Sequence, residues 1–103
     1  MNSSVRNFLR SQAHSLKPIV MVGKGGMDER VVAALREALS AHELVKVKFQ
    51  ACKDEIRPIS EELAQRTGSE VVSIIGFIVT FYQESEEHLI HIPKELIKKE
   101  LEH

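Results

Sequence analysis

The chain has 103 residues, of which 43% are hydrophobic and 28% are charged, and its formal net charge is -1. This length suits one small domain, and the apolar fraction is high enough to exclude a disordered chain. No apolar run approaches the ~20 residues that span a bilayer, and the first residues lack the pattern of an export signal. We therefore expect a cytoplasmic protein that does not enter a membrane. Cys52 is the only cysteine, which excludes an intramolecular disulfide and a multi-cysteine zinc site.

The charges are unevenly distributed along the chain. Residues 1–53 carry nine Lys or Arg and four Asp or Glu, whereas residues 54–103 carry five and eleven. Such an asymmetry permits one basic surface that could grip phosphates. Ordinary solvated surface charge explains it equally well.

The first half of the chain predicts a helix, a strand, a second helix and a second strand. Ser3 or Ser4 is placed to cap a first helix that runs to about His14. The apolar run 19–22 predicts a buried strand, and Asp28 is placed to cap a helix that continues to about residue 41. Residues 45–49 then alternate, so we expect Val45, Val47 and Phe49 to face the core and Lys46 and Lys48 to make the opposite side basic.

The second half predicts one helix and two strands. Pro58 suits the first turn of a third helix, and Gly68 is placed to end it. Two β-rich runs, 71–75 and 77–82, are joined by Gly76 at a turn or a bulge. The tail has too few apolar residues for a second domain. The fold class is therefore α/β, a single small domain with a mixed four-stranded sheet, three helices and at least one parallel crossover.

A glycine-rich loop lies between the first strand and the second helix. Gly23, Lys24, Gly25 and Gly26 offer flexible backbone and one mobile positive charge, and the start of the following helix could receive an anion. The loop lacks the Lys-Ser or Lys-Thr of a nucleotide-hydrolysing loop and the spacing of a dinucleotide fingerprint. We expect a phosphate as the ligand of this loop, although a glycine-rich loop between a strand and a helix is more often only a turn.

Several segments together resemble a known family. Residues 16–27 with the Gly-Lys-Gly-Gly loop, residues 42–48, Thr67-Gly68, Ile75-Gly76 and Phe81-Tyr82 are similar in order and spacing to the CRM domain, and above all to stand-alone bacterial YhbY-type proteins. The resemblance implies an RNA-binding domain over residues 1–85, followed by an extension over 86–100. It implies a fold similar to the C-terminal domain of translation initiation factor three. Residues 101–103 look like the remnant of an appended tag.

The resemblance also implies a site and a partner. In that family the G-x-x-G loop contacts RNA, which maps onto Gly23, Lys24, Gly25 and Gly26. Bacterial members are associated with precursors of the large ribosomal subunit. Family members often carry a basic residue after the Ile-Gly pair and an Arg after the last aromatic residue, where this chain has Phe77 and Gln83. Two phosphate contacts are therefore expected to be missing or replaced.

Other candidate sites are weaker. His88 and His91 lack the further ligands of a zinc site, and His42 lacks a nucleophile or an orienting acid. The carboxylates of Glu61-Glu62 and of residues 84–87 suit solvated surface better than acid/base catalysis. Among the aromatic residues, Tyr82 is the best exposed candidate for stacking on a base.

The sequence thus predicts a non-enzymatic protein without a cofactor or a metal, which binds structured RNA, in particular ribosomal RNA of the large-subunit precursor. Basic residues are expected to support the loop, namely Arg6, Arg10, Lys17, Arg30, Lys46 and Lys48. The alternative is a protein adaptor whose acidic C-terminal half docks a ribosomal protein or an assembly factor.

Overall fold

A computed structural model describes residues 1–101, and the side chains of residues 1–97. It contains four helices and four strands, in the order α1 (Ser3–Ala13), β1 (Val20–Val22), α2 (Glu29–His42), β2 (Leu44–Phe49), α3 (Ile56–Thr67), β3 (Glu70–Ile75), β4 (Ile78–Tyr82) and α4 (Lys94–Leu101). None of the described helices is long and apolar enough to cross a membrane. The expected tag remnant lies outside the described residues, apart from the backbone of residue 101.

The four strands form one mixed sheet in the order β1-β2-β4-β3. β1 pairs with β2 in parallel across the α2 crossover, while β4 pairs antiparallel with both β2 and β3. A tight turn at Gly76-Phe77 joins β3 to β4, and the register shifts between Val71 and Ser73. The α/β class, the mixed sheet and the order of elements from α1 to β4 predicted from the sequence are confirmed, and α4 in the C-terminal extension adds a fourth helix to the three predicted.

The two faces of the sheet are covered to different extents. The inner face carries the main core, in which residues of α2 and α3 pack on the inward side chains of all four strands. The alternation of β2 places Val45, Val47 and Phe49 there, each at most 1% exposed, as predicted. The outer face is covered only in part, by α1, whose Val5, Leu9 and Ala13 pack on a smaller cluster that contains Leu44, Val72 and Tyr82.

Two local predictions were wrong. The N-cap of α1 is Asn2 rather than Ser3 or Ser4, because its side-chain oxygen accepts the Val5 N–H at 2.8 Å. The strand at 20–22 is not buried on both sides: β1 lies at the edge of the sheet, and Met21 is 41% exposed. The predicted caps of the other helices are confirmed, with Asp28 before α2 and Gly68, at φ 72°, after α3.

The two ends of the sheet differ in what lies there. One end, here called the loop end, gathers the 23–28 loop, the β2–α3 connection and the Gly76-Phe77 turn. The opposite end, here called the far end, gathers the start of β1, the α2–β2 junction and the chain that follows β4. The C-terminal extension returns from the far end to α1, where Asn2 Nδ2 donates to the Leu96 carbonyl at 2.8 Å.

Candidate RNA interface

The glycine-rich loop is a closed turn. The Gly26 N–H donates to the Gly23 carbonyl at 3.0 Å, so Lys24 and Gly25 occupy the corners and Lys24 is exposed. Gly26 has φ 67°, which disfavours any residue with a Cβ atom. At Gly25 a Cβ would lie 3.2 Å from Asp28 Oδ2, whereas at Gly23 it would meet nothing within 4 Å. The backbone of Gly26 therefore favours glycine, whereas a side chain at Gly25 would only push the exposed Asp28 carboxylate aside.

The β2–α3 connection supports this turn from one side. Gln50 and Ala51 donate their N–H groups to the Val22 carbonyl at 2.9 and 3.3 Å. The Cys52 thiol lies 3.7 Å from the Gly23 carbonyl, within reach of a weak hydrogen bond. The turn is thus held against the neighbouring connection, while its Lys24 corner faces solvent.

The start of α2 already carries a negative partner. Asp28 Oδ1 accepts the Val31 N–H at 3.0 Å, and Glu29 follows in the first turn. These carboxylates interact favourably with the positive end of the helix dipole and would repel a phosphate there. The turn and Lys24, rather than the helix start, are therefore the better place for an RNA phosphate.

A strip of basic residues continues from the turn along the outer face of the sheet. Lys48 pairs in register with Met21, two residues before Gly23, and Lys46 lies two residues further along β2. Arg10 of α1 lines the same groove as Lys46, and Lys17 lines a second groove with it. We call these five residues the basic strip: Lys24, Lys48, Lys46, Arg10 and Lys17.

Two grooves flank Lys46. Its side chain is half-buried, whereas the sequence predicted that it would be free on the surface. One, of about 430 Å³, separates α1 from the outer face and is lined by Arg10, His14 and Ser73, among others. The other, of about 380 Å³, lies near the far end beside Lys17, His42 and Ile90. Among the side chains of residues 1–97, no carboxylate lines either groove, so the potential along this part of the surface favours an anion.

Two of the expected RNA contacts lie off the strip. Arg6 is exposed one turn earlier on α1 than Arg10, and Arg30 is exposed in the first turn of α2, which packs on the inner face. The described contacts bring neither of them to the strip. Arg6 and Arg30 remain predicted RNA contacts, and we expect each to contribute less to RNA affinity than a residue of the basic strip.

The aromatic candidate chosen from the sequence was wrong. Tyr82 is only 9% exposed and packs against α1, and burial together with nearby carboxylates raises its pKa to about 12. The exposed aromatic residue is Phe77, which is 49% exposed at the loop end and has Lys53 Nζ 4.4 Å from its ring centroid. Its position after Gly76, in the short connection between β3 and β4, was the available signal, because connecting residues lie at the surface.

The other polar candidates fit structural roles. His88 Nδ1 lies 2.6 Å from Glu84 Oε1 on the surface, and His42 is the last residue of α2. Within the described residues, no group of three or more His, Cys, Asp or Glu side chains is arranged to hold a metal ion. Gln83 donates from Nε2 to the carbonyls of Thr67 and Gly68, at 2.9 and 3.0 Å, and so ties the end of α3 to the end of β4.

Comparisons with known proteins identify the family of this chain. The model of the CRS1 / YhbY (CRM) domain matches residues 1–83. The chain belongs to the CRM domain family. A Bacillus subtilis relative named "Probable RNA-binding protein YqeI" is 40% identical over 84 residues, which cover 81% of this chain and 88% of the relative. An "RNA-binding protein" of Haemophilus influenzae is 36% identical and covers 91% of this chain, with 96% of its own length matched.

A solved structure supports the same fold. The solution structure of the hypothetical protein SAV1595 from Staphylococcus aureus is similar to this CRM domain with a TM-score of 0.77 and 35% identity, over 90% of this chain and all of that one. The family resemblance read from the sequence motifs is therefore confirmed.

Proposed function

We propose that this CRM-domain protein is a non-enzymatic, cytoplasmic RNA-binding protein that holds structured RNA, namely ribosomal RNA of the large-subunit precursor. The Gly23–Gly26 turn and Lys24 take one phosphate at the loop end, and the rest of the basic strip follows the backbone along the outer face. The observation that carries the proposal is the alignment of a closed glycine turn with a row of Lys and Arg, beside two grooves that no carboxylate of the described side chains lines. The names of the relatives support RNA as the partner.

The arrangement favours recognition of backbone and shape. Lys and Arg side chains that lie along a strip contact phosphates, which carry no sequence information. The strip runs from Lys17, three residues before β1, to Lys24, two residues after it, and a fully extended segment of this length spans at most ~25 Å. A surface of that length spans several phosphates of a folded RNA, so affinity should depend on the shape of the RNA more than on its sequence.

Crosslinking in cells tests the proposal. Ultraviolet crosslinking, purification of the protein and sequencing of the attached RNA should recover precursors of the large-subunit ribosomal RNA above other abundant RNAs. The acidic Glu84, Glu86 and Glu87 lie on the far-end side, beyond β4, and would serve a protein adaptor. Recovery of ribosomal proteins or assembly factors without crosslinked RNA would favour that alternative and contradict the proposal.

A further inference from the structure

One row of side chains crosses all four strands on the outer face at the loop end. The register pairs Met21 with Lys48, Lys48 with Ile78 and Ile78 with Ile75, so these four residues share one face of the sheet. We call them the open row. Four strands at ~4.8 Å spacing make the row about 14 Å wide.

The open row is exposed because α1 ends its coverage before reaching it. The helix packs on Leu44, Val72 and Tyr82, which lie nearer the far end. In the open row, by contrast, Met21 is 41% and Ile75 is 64% exposed, and Ile78 is half-buried. Exposed apolar side chains that a small domain gathers on one face usually mark a contact with another molecule, and here they lie on both sides of Lys48.

Phe77 lies next to this row along the chain, in the turn between Ile75 and Ile78. The ring is half exposed, and the Lys53 ammonium lies over one face, 4.4 Å from the ring centroid, which makes a cation–π contact. A flat apolar group that stacks on Phe77 would take the opposite face or displace Lys53. In either case the ammonium would lie near enough to reach a phosphate attached to that group.

The charges around the row indicate the occupant. Lys48 lies in the middle of the row, Lys53 lies over Phe77, and Lys24 is exposed on the turn that follows β1. The row itself contains no carboxylate. A partner that suits this surface has flat apolar faces and negative charges at short intervals, which describes an unpaired segment of RNA.

We propose that the open row and Phe77 bind unpaired RNA bases, with one base stacked on the Phe77 ring, while Lys48 and Lys53 contact the adjoining phosphates. This inference rests on the proposed function, since it names the kind of RNA segment that the loop end takes. The chain then combines two modes of binding. The basic strip follows backbone phosphates, and the open row selects RNA that has unstacked bases beside a folded region.

Two RNAs of equal length test this inference, a hairpin with an unpaired loop and a fully paired duplex, titrated at one salt concentration. Phe77→Ala should weaken binding of the hairpin about 5- to 100-fold, as loss of one stacked base does, and leave binding of the duplex unchanged. Phe77→Tyr should restore the hairpin affinity, because it keeps the ring. Ile75→Ala should weaken the hairpin in the same direction by less. Leu89→Ala, which truncates an equally exposed apolar residue elsewhere, is the matched control and should change neither affinity.

The outcomes separate this inference from the proposed function. Unchanged hairpin affinity in folded Phe77→Ala, when the unmodified protein binds both RNAs, would overturn the open-row inference and leave RNA binding intact. Equal weakening for hairpin and duplex would also overturn it, because stacking requires unpaired bases. If the unmodified protein binds neither RNA, the proposed function fails first. Photocrosslinking of 5-iodouridine in the hairpin loop to Phe77 or Met21, located by mass spectrometry, supports the inference, and crosslinks found only outside the loop end overturn it.

Discussion

The two ends of the sheet differ in the kind of side chain that is buried or exposed there. At the far end Glu43 is 0% exposed although it is charged, and its carboxylate accepts from Ser85 N–H at 2.6 Å, Ser85 Oγ–H at 2.5 Å and Ile90 N–H at 2.8 Å. At the loop end, apolar Met21, Ile75 and Phe77 are left in water. A charged group is buried at the far end, where it binds the chain that follows β4. Apolar groups are exposed at the loop end, where no segment of the described chain covers them. The far end therefore holds the C-terminal extension through Glu43, although Ile19 and Leu89 are exposed there, whereas the loop end exposes three apolar residues beside Lys48.

The hydrogen bonds of Glu43 hold its backbone in an unfavourable conformation. Its φ of 65° lies in the left-handed region, which costs a residue with a side chain about 1–3 kcal/mol. Its N–H donates to the Leu39 carbonyl at 2.8 Å and its carbonyl accepts the Gln83 N–H at 2.9 Å, so both backbone groups are satisfied. The conformation persists because side chain and backbone are both bound.

The largest expected effect comes from Glu43→Gln. The neutral amide cannot accept all the N–H and O–H donors that now point at the carboxylate, and charged hydrogen bonds of this kind contribute about 1.5–3 kcal/mol each. We expect the free energy of unfolding to fall by about 2–4 kcal/mol in urea titrations, with faster hydrogen exchange at residues 85–90. A loss below 0.5 kcal/mol, as for the exposed control Glu61→Gln, would show that the extension is held by apolar packing alone.

The same carboxylate predicts a pH dependence. Burial alone would raise the pKa of Glu43, but hydrogen bonds from the Ser85 hydroxyl and from the N–H groups of Ser85, Ile90 and Leu89 outweigh it, so the pKa is lowered. A lowered pKa in the folded state means that the contribution is complete above about pH 4.3, the ordinary value for Glu, and is lost as the pH falls further. Thermal unfolding between pH 3 and 6 should therefore show a steeper acid decline for the unmodified protein than for Glu43→Gln. Parallel curves would contradict this.

A smaller effect, on binding rather than stability, is expected from the double substitution Lys46→Glu with Lys48→Glu. Each lost phosphate contact removes a factor of about five to eight at 0.1 M salt, so RNA affinity should fall about 25- to 60-fold in filter binding. Arg57→Glu is a control for charge reversal, since Arg57 is exposed on α3. A large drop in melting temperature for the lysine variant would mean that half-buried Lys46 supports α1 packing more than it binds RNA.

The turn should respond to geometry more than to charge. Gly26→Ala places a Cβ on a residue with φ 67°, which should cost about 1–2 kcal/mol of stability and weaken RNA binding by distorting the turn. Gly23→Ala is the matched control, because its Cβ would meet nothing within 4 Å. Equal stability and affinity for the two variants, measured by urea unfolding and RNA titration, would show that the geometry of the turn contributes to neither stability nor RNA binding.

The sequence predicted the helix ends and the buried side of β2. It did not predict which side chains are exposed or buried where this depends on how distant segments cover one another. Strict alternation in 45–49 identified which side of β2 is buried, and Asp28 and Gly68 marked helix ends, because these signals are local. Exposure of Met21 and burial of Tyr82 depend on how far α1 extends over the outer face, which no local pattern encodes. Burial of Glu43 was missed for the same reason: its partners Ser85 and Ile90 are more than 40 residues away.

The salt dependence of RNA binding measures how much of the affinity comes from phosphate contacts of the basic strip. If all five residues of the basic strip contact phosphate, log K against log salt should have a slope of about -3.5 to -4.5, at ~0.7 to 0.9 for each phosphate neutralised. Lys24→Ala, the smallest change considered, should reduce that slope by a little under one unit and lower affinity about equally for unrelated RNAs of similar shape. A slope near zero for the unmodified protein would contradict phosphate capture by the basic strip and favour the protein adaptor.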